Sequence, residues 1–216
     1  MNLRWKVAQA AEIRWWNRYL RNKEVNTYMD QKRAYWHRVL DACNLNLPKG
    51  AKVLDAGCGP AGIFIAIPHC EVIAIDPLLD AYERQLPHFQ AADYPYVQFR
   101  CQPIESISEQ GVFDWVFCLN VINHVADLNK SLDALWAALK PGASLVLSVD
   151  AHNHAFLKRL FQLIPGDILH PHQYSLLDYQ QMLLHRKARI DRTILLKKER
   201  IFNYYLFIAQ KPEPFG

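Results

Sequence analysis

The chain has 216 residues, 51% of them apolar and 21% charged, with a formal net charge of +4. That is enough apolar material to bury a full core, and no apolar run is long enough to cross a bilayer, so composition points to a globular protein without a membrane partner. Five cysteines, Cys43, Cys58, Cys70, Cys101 and Cys118, are an odd number scattered without a C-x-x-C pair, which argues against a zinc ribbon and a disulfide framework.

Residues 1–45 read as helical throughout: Trp5, Ala8, Glu12, Trp15, Trp16 and Tyr19, then Tyr28, Tyr35, Trp36, Val39 and Leu40, recur at helix-compatible spacings with no proline before Pro48. From Lys52 onward short apolar runs alternate with helical stretches, the pattern of βαβ units and a parallel sheet. Strands are predicted at 52–56, 71–75, 97–100, 115–119 and 144–149. The helix over 127–139 is the clearest, since Leu128, Leu132, Leu135, Trp136 and Leu139 share a face, Asp127 stands ready to cap it and Pro141-Gly142 follows as a stop. A helix over 154–164, a Pro165-Gly166 break and a second helix opening at Ser175-Leu-Leu-Asp178 form an insertion before the last two strands, 188–196 and 203–210, which are close enough to pair as a hairpin. The expected organisation is a helical cap over 1–50 and an α/β domain over 51–216.

The charge is uneven. Residues 1–50 carry ten Lys or Arg against four acids and residues 186–216 eight against three, while 51–185 carry seven against fourteen. Basic ends of this kind attract anions, yet such excess is usually a solvated helix or strand face. The N-terminus, Met-Asn-Leu-Arg-Trp-Lys, has no signal-peptide pattern, and the expected location is the cytoplasm.

Chemistry concentrates in Val53-Leu-Asp-Ala-Gly-Cys-Gly-Pro-Ala-Gly62, an apolar strand that ends beside Asp55 and opens onto glycines. Residues without a β-carbon let the chain turn sharply there and bring its backbone against a ligand. Nineteen residues beyond Gly57 a second apolar run ends in Asp76, a carboxylate suited to accept two hydrogen bonds from a ribose diol.

Three readings compete for this pattern. Gly57-Cys-Gly-Pro-Ala-Gly62 satisfies the G-x-G-x-x-G of a nicotinamide dehydrogenase, but the Tyr-x-x-x-Lys of Tyr19 and Lys23 precedes the turn instead of following it. A phosphate-cradling loop of the NTPase kind is disfavoured by Gly62-Ile-Phe in place of Gly-Lys-Ser/Thr and by the lack of any Lys or Arg between Lys52 and Asp76.

The third reading rests on the whole set: the glycine segment, Val72-Ile-Ala-Ile-Asp76, Phe113-Asp-Trp-Val-Phe-Cys-Leu-Asn120, Asn123-His-Val-Ala-Asp127 and Leu139-Lys-Pro-Gly142. In this order they resemble the class I S-adenosylmethionine-dependent methyltransferases, over residues 50–211. The resemblance implies a Rossmann-like, doubly wound, seven-stranded and mainly parallel sheet with an antiparallel C-terminal strand. It implies S-adenosyl-L-methionine as cofactor, S-adenosyl-L-homocysteine as product, and Asp55, Gly57, Cys58, Gly59 and Asp76 as cofactor residues, with Pro77 and Leu78 beside the adenosine. Ile104 and Glu105, with Gln102, align where the family meets the adenine, though Arg100-Cys-Gln-Pro-Ile-Glu105 departs from its usual Gly-Asp-Ala-Glu-like stretch. Asn120, which the resemblance also implies as a cofactor residue, follows the fourth strand, where the family faces the methyl-transfer centre, and His124 lies four residues on. These two are the candidates for a catalytic role.

Methyl transfer from a sulfonium asks the protein chiefly to align the acceptor and exclude water, so the lack of a recognisable triad is no objection. The family's acceptor pocket implies Trp15, Trp16, Tyr28, His152 and His170 as substrate candidates, although Trp15, Trp16 and Trp36 suit a packing role equally well. His152-Asn-His154 and His170-Pro-His172 lack the spacing of a dedicated metal site, and no metal is expected. The expected acceptor is a small molecule methylated at O or N. RNA or another macromolecule is the alternative, disfavoured because Asn120-Val-Ile-Asn123 is not the Asn-Pro-Pro-aromatic motif of adenine-amino methylases and no strand platform interleaves basic and aromatic residues. A catalytically idle cofactor-binding module is a third class.

Overall fold

The N-terminal stretch expected to be helical forms two helices, α1 (Leu3–Leu20) and α2 (Val25–Ala42). The break comes from Glu24, whose carboxylate accepts the amides of Asn26 at 2.9 Å and Thr27 at 2.6 Å and so satisfies two of the donors that open α2. In this computed structural model the described residues are 3–152, 174–199 and 202–213. The predicted 154–164 helix, the Pro165-Gly166 break and His154, His170 and His172 lie outside them.

Two compact units divide the chain, Met1–Pro103 and Ile104–Gly216. In the first, β1 (Lys52–Ala56) pairs in parallel with β2 (Glu71–Ile75), and β2 in parallel with β3 (Val97–Arg100). All three match the predicted strands. Val53, Leu54, Ala56, Val72, Ala74 and Ile75 are buried, as the near-continuous apolar runs of a parallel sheet require. The crossover from β1 to β2 is two short 3-10 turns, Gly59–Ala61 and Ile63–Ala66, and that from β2 to β3 carries α3 (Leu79–Gln85). Helix α2 packs on the first crossover, where the buried Trp36 donates its indole N–H to the Ala61 carbonyl at 2.9 Å.

In the second unit the strand order is β4 (Phe113–Cys118), β5 (Leu139–His152), β7 (Phe202–Gln210) and β6 (Arg189–Lys198). β4 and β5 are parallel, and β7 runs antiparallel to both β5 and β6. Two predicted strand starts shift by two residues or more. β4 begins at Phe113 instead of 115, and β5 begins at Leu139, so Pro141-Gly142 lies within a strand and helix α4 (Leu128–Ala138) ends ahead of it. Gly142, at φ +75°, supplies the left-handed residue that a side chain would resist at this point of β5. The expected cap is present: Asp127 accepts the Lys130 amide at 3.0 Å, and Leu128, Leu132 and Leu135 are buried. So is the predicted capping box of α5 (Leu176–His185), in which Ser175 and Asp178 exchange hydrogen bonds of 2.7 Å and 3.3 Å. The fold class is the expected α/β one, with a seven-stranded mixed sheet.

Replacing Trp36 by Phe keeps the ring and removes the N–H, leaving the Ala61 carbonyl without that donor. The expected loss is about 1–2 kcal/mol of unfolding free energy in urea titrations, with an unchanged far-ultraviolet spectrum.

Candidate functional site

After Ala56 the chain turns through Gly57 at φ +73° and Gly59 at φ +56°, conformations that side chains resist. The turn is tied to the adjacent strand end, since the amides of Gly57 and Cys58 both donate to the Ile75 carbonyl, at 2.8 and 3.0 Å. Asp55 folds back beneath it and accepts the Phe64 amide at 3.1 Å. A β-carbon on Gly62 would overlap Asp55 Oδ2 and the Cys58 carbonyl, so this glycine is required by close approach, its φ of −73° being open to any residue.

Asp76 stands at the end of β2 and joins the two strand ends. Its Oδ2 accepts the Gly59 amide at 3.0 Å and its Oδ1 the Leu78 amide at 2.8 Å. A carboxylate offers about four lone-pair positions, so two acceptor sites are left, the number of donors in a ribose diol.

These bonds occupy the amides at the start of the turn. The amides of residues 57, 58 and 59 are engaged by Ile75 and Asp76, those of Ile63 and Phe64 by Asp55, and Pro60 has none. A pyrophosphate needs such donors. Residues 57–60 therefore present close backbone approach and acceptors, which fits a nucleoside without phosphates and counts against the dehydrogenase reading.

Helix α1 lies against this turn. Trp16 comes within 3.8 Å of the β-carbon position of Gly59 and meets Tyr82 of α3 edge to face at 6.2 Å. Glu12, the sole acid of α1, is held by a hydrogen bond from Trp16 and by the Tyr82 hydroxyl at 3.4 Å. Sequence reasoning missed Glu12 and Tyr82. The available signal was one acid on a helix otherwise rich in Lys and Arg.

The electrostatics are those of buried acids without a base. Burial pushes Asp55 up to about 7 against the hydrogen bonds from Phe64 and Ile63. Burial also lifts Asp76 to about 7, with a further push from Glu12 and a counteracting pull from the Leu78 and Gly59 amides. Glu12 is itself raised by burial, and the Cys58 thiol is pushed well up for the same reason.

Thus Asp55, Gly57, Cys58, Gly59 and Asp76 come together in the first unit, with Pro77 directly after Asp76. Of the substrate candidates there, Trp16 is at the turn, Trp15 is 52% exposed and stacked on Tyr19 at 4.8 Å, and Tyr28 is buried against His88.

Ile104, Glu105 and Asn120 belong to the second unit. Ile104 is buried, and one oxygen of Glu105 accepts the amides of Ala126 and Asp127 at 2.9 and 3.0 Å, anchoring the segment that leads into α4. Asn120 is exposed at φ +60°, its amide donating at 2.8 Å to the Ser148 hydroxyl, which also accepts the Tyr204 hydroxyl at 2.6 Å. His124 is exposed, and His152 is buried at the end of β5 with its ring 4.3 Å from that of Phe202. Asn123, unassigned from sequence, is buried and donates to the Asp150 carbonyl at 3.2 Å and the Tyr179 hydroxyl at 2.9 Å. Among the described residues no group of acids, histidines and cysteines could hold a metal ion, and no helix is long and apolar enough to cross a membrane.

The family model described as Methyltransferase domain matches residues 14–187, and the chain belongs to that family. Among its relatives, the ubiquinone biosynthesis O-methyltransferase of Nitrobacter winogradskyi is 32% identical over 116 residues, which cover 50% of this chain and 42% of that protein. The enzyme of the same name from Xanthomonas axonopodis pv. citri is 29% identical over 139 residues, 62% of this chain and 55% of that one. The chain thus spans about half the length of the curated relatives it matches. The fold is shared with the YcgJ protein of Bacillus subtilis, at a TM-score of 0.67, 16% identity, and coverage of 82% and 100% of the two chains. It is shared also with the N-methyltransferase NodS of Bradyrhizobium japonicum, solved with S-adenosyl-L-homocysteine, at a TM-score of 0.61, 17% identity, and coverage of 90% and 91%.

A carboxyl raised to about 7 in the folded state, from about 4 when unfolded, favours folding while protonated, and that advantage is lost as pH climbs from about 4 through 7. Asp55→Asn retains an oxygen for the Phe64 amide and removes the titration. Between pH 5 and pH 8 its stability relative to the unsubstituted ligand-free protein should improve by on the order of 1–3 kcal/mol in urea unfolding. A constant offset across that range would contradict a raised Asp55.

Proposed function

We propose that the chain binds S-adenosyl-L-methionine and transfers its methyl group to an O or N atom of a small-molecule acceptor. The observation that carries the reading is the junction of Asp76 with the glycine turn: a carboxylate at the end of β2, bonded to the Gly59 amide, with two acceptor positions left for a ribose. Membership of the methyltransferase domain family and the names of the relatives support it.

When bound, the cofactor supplies a methyl group made electrophilic by a sulfonium. Asp76 would orient the ribose through two charge-assisted hydrogen bonds, and Gly57 and Gly59 would let the amino-acid portion lie against bare backbone. Trp16, over Gly59, would shield that portion from water. The relatives' name favours an oxygen acceptor over nitrogen.

Asp76→Ala should weaken S-adenosyl-L-homocysteine binding by about 2–4 kcal/mol in titration calorimetry. Equal affinity in both proteins would overturn the placement of the ribose. Transfer of labelled methyl into fractions of cell extract should survive nuclease treatment, whereas label removed by nuclease would identify a nucleic-acid acceptor.

A further inference from the structure

Helix α1 carries Arg4, Lys6, Arg14 and Arg18 and one acid, Glu12. That acid is turned inward, where Trp16 and the fully buried Tyr82 hold it beside Asp76. A charge on such a helix is expected to face solvent, and burying it costs free energy unless something compensates. The protein supplies no compensating base from the neighbouring strands and turns: from residue 53 to 83 there are five acids and neither Lys nor Arg. Asp55 and Asp76 are buried in the same unit, and Cys58 and Tyr82, the other titratable groups beside them, are neutral or negative when they ionise. A cationic ligand would supply the positive charge that residues 53–83 lack.

Resting on the cofactor reading above, we propose that Glu12 is a specificity-determining residue, delivered by α1, that makes the site prefer the sulfonium cofactor to the neutral thioether product. In the reaction the acceptor's lone pair forms a bond to the methyl carbon, the electron pair of the broken carbon–sulfur bond returns to sulfur, and the proton of the acceptor's O–H or N–H leaves to solvent. The cofactor thereby loses one positive charge at that atom while its ribose, amino and carboxylate groups stay as they were. An interaction that senses only this change separates reactant from product. A charge difference felt across a partly solvated site and worth about 1 kcal/mol gives a preference of about fivefold. The product would leave more readily than the reactant, and Glu12 would limit product inhibition.

Glu12→Gln tests this because the amide oxygen still accepts from Tyr82 and Trp16 while the charge is gone. Titration calorimetry on the full chain would use S-adenosyl-L-methionine, S-adenosyl-L-homocysteine and sinefungin, whose amine places a cation near the sulfonium position. The expected result is a loss of about fivefold for the two cationic ligands and less than about twofold for the thioether, with Glu12→Asp keeping the original ratio. Equal weakening of all three ligands, or no weakening, would overturn the proposal and leave Glu12 with a packing role. Failure of the unsubstituted protein to bind any of the three, or an unchanged affinity in Asp76→Ala, would instead remove the cofactor reading on which the proposal stands. The thermal midpoint of the ligand-free variants shows whether they fold, and a Glu12→Gln protein that does not fold leaves the decision to the ratio in Glu12→Asp, where loss of the preference despite the retained charge counts against the proposal.

Discussion

The hydrogen bond from the Gly59 amide to Asp76 organises the first unit. It joins the turn after β1 to the end of β2, and with the bonds from Gly57 and Cys58 to Ile75 it makes two strand termini a single rigid edge. Positive φ at Gly57 and Gly59 is the backbone condition for that bond, and close packing of Gly62 on Asp55 holds the far side of the turn in place. Because the bonds engage the turn's own amides, the edge offers acceptors and bare backbone to a ligand. That distinction separates a site for a cationic nucleoside from one for a dinucleotide, although both begin with the same glycine spacing.

The N-terminal helices are fixed to this edge by aromatic side chains. Trp36 reaches the Ala61 carbonyl from α2, and Trp16 covers Gly59 from α1. The same Trp16 side chain that meets Tyr82 of α3 also covers the turn at Gly59. Trp15, one residue away, points out and stacks on Tyr19, as a 100° helical step dictates.

Strands β1, β2 and β3 were legible in the sequence because apolar runs bounded by turn residues leave few alternatives, and the caps at Asp127 and Ser175 because their side chains act locally. The glycine turn and Asp76 were legible as a spaced pair. The break between α1 and α2 was not, since Glu24 caps with a carboxylate that is common within helices, and neither was the early start of β5, where Pro141-Gly142 reads as a stop but lies in a strand. The pairings of Glu12 with Tyr82 and of Asn123 with Tyr179 were invisible for a different reason: each is made across more than fifty residues, and although the lone acid of α1 stands out, no local pattern tells which distant side chain it meets.

The placement of β7 has a bearing on how the second unit is built. It lies between β5 and β6 and is bonded to both, although it follows both in the chain. During synthesis on the ribosome, β5 and β6 therefore emerge with unfilled backbone edges that only residues 202–210 can fill. Assembly of this half is thus obligatorily late, and its open edges are the stretch of the nascent protein most in need of shielding by a chaperone.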